Sequence, residues 1–170
     1  MSPVPMDDTI ARLRLHLLRH AHAGDPDAWS GDDALRPLTR KGRQQAEELG
    51  RFLEEHGIRP DVIVTSPKVR ASQTAELVAA TLGMTVRVDD RLASGFGRRE
   101  LWDLLDGLGA REPMLVGHDP DLSELLGYLI DAAGVPLRKG TLASIDVEME
   151  PAGLSGRLRW LVPPDLLEKG

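Results

Sequence analysis

The chain has 170 residues, an ordinary apolar fraction of 41% and few aromatic residues, which predicts one domain, spanning residues 1–170, with an aliphatic core. The absence of cysteine excludes disulfides, thiolate metal sites and a cysteine nucleophile. The net charge of -6 argues against broad contact with nucleic acid, and with neither a span-length apolar run nor a signal-peptide pattern we expect a cytoplasmic protein without a nucleic-acid or membrane partner.

Strand and helix patterns alternate along the chain. In the first half we expect a loose lead-in (residues 1–12), a buried strand (13–18), a surface excursion (24–37), a helix capped by Thr39 that ends near His56, and a second buried strand (61–65). In the second half we expect a helix opened by Ser66 and Pro67 that ends near Leu82, a short strand (84–88), a helix (100–108), a fourth strand (114–116), a helix from Gly117–Pro120 to about Ala133, an edge strand (142–149) and a partner strand for it (158–162).

This alternation predicts an α/β protein with a mainly parallel, doubly wound sheet between two layers of helices. Ligands of such sheets bind outside the carboxyl ends of the strands. Polar residues follow three of the predicted strands there: Arg19 and His20 after the first, residues 66–70 after the second, and His118 after the fourth. We expect these residues to converge on one crevice.

Two histidines and two arginines at that crevice suit phosphoryl transfer. A phosphoryl group carries about two negative charges near neutral pH, and arginine is shaped to hold its oxygens bidentately. A neutral imidazole can attack phosphorus and form a covalent intermediate that water then cleaves. Arg19, His20, Arg70 and His118 therefore form a minimal set for this chemistry that needs neither a metal nor another cofactor.

Four sequence blocks, in order, resemble the histidine phosphatase superfamily, the phosphoglycerate-mutase-like enzymes. They are LLRHAHA at 17–23, RPLTRKGRQQA at 36–46, VIVTSPKVRASQTAE at 62–76 and LVGHDPDLSELL at 115–126. The tail, with TLASIDVE at 141–148, also resembles the small bacterial phosphohistidine phosphatases of the SixA type. The resemblance implies a single-domain, three-layer α/β/α sandwich of the phosphoglycerate-mutase-like fold.

The resemblance also implies roles for individual residues. His20 would be the nucleophile that becomes phosphorylated, Arg19 and Arg70 would clamp the phosphoryl oxygens, and His118 would stabilise charge on the transferring group. Arg36 matches an arginine of the SixA-type pattern that reaches the phosphate or the substrate. His22, two residues beyond the nucleophile, is expected at the mouth of the pocket. The implied partner is a phosphate-bearing substrate, and the SixA branch points to a histidine-phosphorylated protein.

The chain departs from the family pattern at two places. Ala21 replaces the commoner glycine, which implies that the backbone there needs no positive φ. Many members carry an acid after the third strand that protonates the leaving oxygen, but residues 93–95 of this chain are not acidic, and neither Asp89 nor Glu100 aligns convincingly. A missing acid favours phosphohistidine, whose nitrogen leaving group takes up a proton readily, over an alkyl phosphate.

Three alternatives remain open from the sequence. Within the family, the chain would be a general small-molecule phosphomonoesterase. As a metal-dependent hydrolase it would use the pair His20 and His22, but such a site needs further ligands, for which only His118 is available. As a non-catalytic module it would bind phosphate or a phosphoprotein on the same fold, because fold alone does not imply activity.

Overall fold

A computed structural model describes residues 10–169 of the chain. Most of the predicted lead-in, residues 1–9, lies outside the described part. The first strand already begins at Ala11, two residues earlier than the sequence pattern predicts. Within residues 10–169, none of the helices combines the length and the apolar character that a bilayer crossing requires.

The helices and strands follow the predicted alternation. In chain order they are β1 (Ala11–Arg19), α1 (Arg40–Glu55), β2 (Val62–Thr65), α2 (Val69–Leu82), β3 (Val86–Val88), α3 (Arg98–Leu108), β4 (Pro113–Gly117), α4 (Asp121–Ile130), β5 (Leu142–Glu150) and β6 (Gly153–Val162). Short 3-10 turns lie at Pro26–Ala28, Asp33–Leu35, Asp90–Ala93 and Pro164–Leu166.

The strands form one mixed sheet in the order β3-β2-β4-β1-β5-β6. The first four are parallel, and β5 and β6 are antiparallel additions beside β1. One apolar cluster packs α1 and α2 on one face of the sheet, and a second packs α3 and α4 on the other. This arrangement confirms the predicted α/β class, the three layers and the mainly parallel sheet.

Three predictions about the second half of the chain were wrong. The last strand, β6, begins at Gly153 rather than Leu158. The last helix ends at Ile130 rather than near Ala133, because Asp131 adopts a left-handed conformation (φ 53°) that breaks the helical path. The strand predicted at the edge, β5, lies inside the sheet between β1 and β6, and β6 is the edge strand. Residues 142–145 of β5 are accordingly buried in succession rather than alternately.

The start of α1 is held against the segment that follows β1. As predicted, Thr39 caps the helix, and its Oγ1 accepts a hydrogen bond from the N–H of Gly42 at 3.1 Å. The backbone of His22 passes so close to Gly42 that a Cβ there would lie 2.0 Å from the His22 carbonyl oxygen. Only glycine fits this contact, which fixes the direction of the chain just after β1.

Candidate active site

The register of the parallel strands brings their carboxyl ends together. Arg19 of β1 lies opposite Gly117 of β4, so the residues that follow them, His20 and His118, are neighbours. The N–H of His20 donates to the carbonyl oxygen of Gly117 at 3.0 Å. Ser66, which follows β2, donates its N–H to a carbonyl of β4 at 2.9 Å. The residues that follow these three strands therefore converge on one region, as expected from the strand ends.

The tautomer of His20 follows from its hydrogen bond. Its Nδ1 lies 2.8 Å from the carbonyl oxygen of Ala21, which only accepts hydrogen bonds, so Nδ1 carries the proton. The lone pair of the neutral ring is then on Nε2. The side chain is 4% exposed, and its ring is held by a backbone group next to it in the chain. This fixes the orientation of the imidazole and leaves Nε2 as its unprotonated nitrogen.

His118 faces His20 across the strand ends. The two ring centroids are 5.3 Å apart, and the rings are tilted by 51°. Nε2 of His118 lies 2.7 Å from Oγ of Ser66, and that Oγ accepts a hydrogen bond from the N–H of Lys68. The turn between β2 and α2 thus orients the second imidazole.

Both imidazoles are neutral at physiological pH. Burial lowers the pKa of His20 to about 3, and the positive charges of Arg70 and Arg19 add to the effect. The pKa of His118 is also lowered to about 3, first by burial and then by the neighbouring His20 and the same arginines. An unprotonated Nε2 is what a nucleophilic imidazole needs.

Arg19 is fastened at the edge of this cluster. One of its terminal nitrogens donates to the carbonyl oxygen of Leu137 at 2.9 Å and lies 3.5 Å from a carboxylate oxygen of Asp119. Asp119 is itself held by Ser123, whose hydroxyl and N–H both donate to its carboxylate. The guanidinium is therefore positioned by two segments that flank α4.

Arg70 lies in the first turn of α2 and is 6% exposed. Its two terminal nitrogens donate to the backbone carbonyl and to the carboxylate of Asp33, at 2.9 and 3.1 Å. The same carboxylate accepts a hydrogen bond from Nε of Arg36 at 2.9 Å. Hydrogen bonding from Arg36 and the charges of both arginines hold the pKa of Asp33 below its usual range. A carboxylate of the surface excursion thus bridges the two arginines.

Residues 137–140, the segment before β5, close the site from the other side. The N–H of Gly140 donates to the carbonyl oxygens of Arg19 and His20, at 3.1 and 2.9 Å. Gly140 has φ +80°, a conformation that favours glycine. Lys139, next to it, lies near the arginines of the site, and after burial their charges are the main cause of its lowered pKa.

Arg36 and His22, the two residues predicted to contact substrate, have different surroundings. Arg36 is buried beside Arg70, and besides Asp33 it donates to the carbonyl oxygen of Ala23 at 2.8 Å. His22 is half-buried, and its Nδ1 lies 2.7 Å from Oγ1 of Thr39. Arg36 thus lies next to Arg70, but its hydrogen bonds go to the surface excursion of residues 24–37 and to the segment before it. His22 lines a neighbouring cavity on the α1 side.

Asp89 and Glu100, the two carboxylates considered as proton donors, are both engaged in local hydrogen bonds. Asp89 accepts hydrogen bonds from the N–H and the guanidinium of Arg91, which hold its pKa below its usual range. Glu100 accepts a hydrogen bond from the N–H of Gly97 and caps α3. Within residues 10–169, no group of three or more His, Asp or Glu side chains is arranged to hold a metal ion.

Comparison with known proteins identifies the family. The sequence profile of the histidine phosphatase superfamily (branch 1) matches residues 15–101, which is more than half of the chain. The chain belongs to the histidine phosphatase superfamily. An uncharacterized protein of Picosynechococcus sp. is 35% identical to this chain over 116 residues. The match covers 66% of this chain and 70% of that protein.

A second relative shares only part of its length. The mitochondrial serine/threonine-protein phosphatase Pgam5 of Drosophila yakuba is 38% identical over 68 residues, which cover 40% of this chain. The chain spans 23% of the length of that relative.

Solved structures place the chain among SixA-like folds. The protein histidine phosphatase SixA complexed with tungstate superposes with a TM-score of 0.79 and 23% identity, covering 92% of this chain and all of that one (100%), which establishes the fold. A protein of Agrobacterium tumefaciens that carries the name phosphohistidine phosphatase SixA has a TM-score of 0.71 and 26% identity, covering 89% and 98%. The predicted phosphoglycerate-mutase-like fold and the resemblance to SixA-type members are thereby confirmed.

Sequence reasoning missed Asp33 and Lys139. Asp33 lies in a 3-10 turn of the excursion, where no periodicity indicates which side chain turns inward. The position of Lys139 just before a predicted strand was the one sequence feature that could have placed it near the site. Once β5 is known to run antiparallel to β1, with Leu142 opposite Leu18, the residues before β5 must lie beside the end of β1.

Proposed function

We propose that this histidine phosphatase superfamily member is a metal-independent phosphatase that forms a covalent phosphohistidine on His20 and acts on protein phosphohistidine. The observation that carries the proposal is the neutral, oriented imidazole of His20. The hydrogen bond from Nδ1 to Ala21 fixes the position of its Nε2 lone pair, and the ring lies near a second imidazole, the buried Arg70 and the half-buried Arg19. This combines a nucleophile with the positive charge that binds a phosphoryl group.

The proposed reaction has two steps. Arg19 and Arg70 bind the phosphoryl oxygens, with the carboxylate of Asp33 giving way to the incoming anion. Nε2 of His20 then forms a bond to phosphorus while the bond from phosphorus to the leaving nitrogen breaks, and that nitrogen takes up a proton. In the second step the oxygen of water attacks phosphorus, the bond to Nε2 breaks, and inorganic phosphate leaves. The attacking water releases a proton to solvent, which balances the proton taken up by the leaving nitrogen. His118 donates to the phosphoryl oxygens as negative charge builds up.

The leaving group favours phosphohistidine over an alkyl ester. Asp89 is paired with Arg91 and stays ionised near neutral pH, and Glu100 is engaged at the start of α3. A placed general acid is worth roughly 10²–10⁴-fold in rate, and an alkoxide leaves slowly without one. A protonated imidazole nitrogen leaves as a neutral ring. The similarity to a protein named phosphohistidine phosphatase SixA supports the same substrate class.

Trapping the intermediate tests the covalent step. Rapid quenching with labelled substrate is expected to give an acid-labile, base-stable phosphoenzyme in the wild-type protein and none in His20→Ala. The matched control is His56→Ala, because His56 is an exposed histidine at the end of α1. Full labelling of the His20→Ala protein would contradict the assignment, and phosphate binding without any turnover by the wild-type protein would favour a non-catalytic binding module.

Substrate preference tests the choice of phosphohistidine. On one preparation, kcat/KM is expected to be high for phosphohistidine and for an aryl phosphate with a stabilised phenolate, and lower by roughly 10²-fold for an alkyl phosphate. Equal values for all three would indicate a general phosphomonoesterase with a proton donor. The variants Asp89→Asn and Glu100→Gln would then show which of the two residues is the proton donor. Activity that disappears with a strong chelator and returns with a divalent ion would favour the metal-dependent alternative.

A further inference from the structure

A second cavity of about 380 Å³ adjoins the proposed phosphate site. Arg19, which precedes His20 in the chain, and His22, two residues after it, form part of its wall. Lys41 of α1 and the pair Arg138 and Lys139 form much of the remainder. The cavity and the nucleophile therefore share the segment that follows β1.

Within residues 10–169, an ion pair is present at only one of the four cations of this cavity, Arg19, which lies 3.5 Å from Asp119. Among residues 10–169, the nine ion pairs within 4 Å include none to Lys41, Arg138 or Lys139. Asp165 and Glu168 contribute to the rim of the cavity, but both are exposed. Four cationic side chains thus face two carboxylates, on a protein whose net charge is -6.

Lys139 connects this cavity with the proposed phosphate site. Lys139 is half-buried, and its positive charge contributes to the lowered pKa of both His20 and His22, after burial. The segment that carries it is fastened by the two hydrogen bonds from Gly140 to the end of β1. The position of this positive charge relative to the nucleophile is therefore set by the backbone.

We infer that this cavity is a second anion subsite, which selects phosphorylated substrates that carry a carboxylate or a second phosphate group beside the scissile phosphoryl group. The inference rests on the proposed function for the position of the first phosphoryl group. Lys139 is the specificity-determining residue, with Arg138 and Lys41 as exposed partners. On a protein substrate, the second anion is an acidic side chain next to the phosphohistidine.

Non-hydrolysable phosphonates test the subsite without turnover. The dissociation constants of phenylphosphonate, 3- and 4-carboxyphenylphosphonate and 1,4-phenylenebisphosphonate are measured by calorimetry. In the wild-type protein, at least one of the probes with a second anionic group is expected to have a dissociation constant roughly tenfold lower than that of phenylphosphonate. This is the gain in affinity expected for a charged hydrogen bond. The carboxylate and bisphosphonate arms distinguish the two kinds of anion.

Variants with opposite expected effects sharpen the test. Lys139→Gln is expected to remove most of the gain in affinity from the second anionic group, and Arg138→Gln is expected to remove part of it. Asp165→Asn, which removes a rim carboxylate, is expected to increase the gain by roughly threefold. The control is Arg157→Gln, since Arg157 is an exposed cation on the edge strand, away from this cavity. The gain should also shrink when salt rises from about 0.05 to about 0.5 M.

The outcomes separate the subsite from the proposed catalysis. A gain of the same size in Lys139→Gln, or no gain in the wild-type protein with any of the probes, would overturn the subsite. Absence of a phosphoenzyme would overturn the covalent mechanism while leaving the binding result to stand on its own.

Discussion

The two proposed anion-binding regions are built in opposite ways. At the proposed phosphate site, Arg70, His20 and His118 are each less than 8% exposed and hydrogen-bonded to protein groups. In the neighbouring cavity, Lys41 and Arg138 are exposed and Lys139 is half-buried. The positive charge is therefore prearranged in the first region and adaptable in the second.

The difference assigns different tasks to the two regions. Fixed, water-excluded donors stabilise a charge that develops in a transition state, because no reorganisation is needed when it forms. Exposed cations act through a larger effective dielectric constant, so they contribute modest affinity and their effect depends on salt. Changes in the first region should reduce the rate strongly, and changes in the second should alter the choice of substrate.

The largest effect is expected from Arg70→Ala. The substitution removes the buried arginine proposed to bind the phosphoryl oxygens, and kcat/KM for an aryl phosphate should fall by roughly 10²–10³-fold, as when an oxyanion donor is lost. Steady-state kinetics measures this. Arg87→Ala, at an exposed position of β3, serves as the control and should stay within about twofold. A similar loss in both variants would mean that Arg70 has no special role.

A smaller but clear effect is expected from Gly42→Ala. The new Cβ would overlap the carbonyl oxygen of His22, so the free energy of unfolding should fall by about 1–3 kcal/mol. Gly107→Ala is the matched control, because a Cβ at this helical position meets nothing within 4 Å and should stabilise α3 by roughly 0.5–1 kcal/mol. Denaturant unfolding measures both changes. Equal signs for the two variants would contradict the close contact.

Acid should destabilise the folded protein through its buried imidazoles. The pKa of His20 is about 3 in the folded state, well below the value of 6.5 for a free imidazole. Between these values the unfolded chain binds more protons, so stability is full above pH 6.5 and is lost as the pH falls toward 3. In His20→Asn the slope of unfolding free energy against pH should decrease by about one proton. An unchanged slope would contradict the low pKa.

The smallest effect is expected from Asp33→Asn. Its carboxylate occupies Arg70 and Arg36, so removing its charge should tighten the binding of vanadate or phosphate by roughly threefold. Competitive inhibition measures the change. Asp32→Asn, at the preceding exposed residue, is the control. Weaker inhibition in Asp33→Asn would indicate that the carboxylate positions Arg70 rather than competing with the anion.

Most of the fold and the centre of the site were predictable because buried parallel strands have a strong signal. Their aliphatic runs marked the positions of Arg19, His20 and His118, and the rule for carboxyl ends brought these residues together. The end of α4 was missed because Ala132 and Ala133 favour helix, whereas Asp131 ends the helix in a left-handed conformation, with its N–H donating to the carbonyl oxygen of Gly127.

The remaining site residues depend on segments without periodicity. Asp33 reaches Arg70 from a loop far away in sequence, and no local pattern encodes that path. Lys139 lies in a connection whose position depends on the direction of β5. Strand direction is decided by how the whole sheet assembles, and the alternation of residues 142–149 predicted an edge strand instead.

The two hydrogen bonds of Gly140 have an evolutionary consequence. They tie the segment before β5 to the end of β1, and a side chain at Gly140 would also contact Gln45 and Pro164. Insertions or deletions between Leu137 and Gly140 would shift the nucleophile and should be rejected by selection. Residues 138 and 139 can vary in side chain at constant loop length, so the substrate range of such proteins can diversify by point substitution while the reaction stays the same.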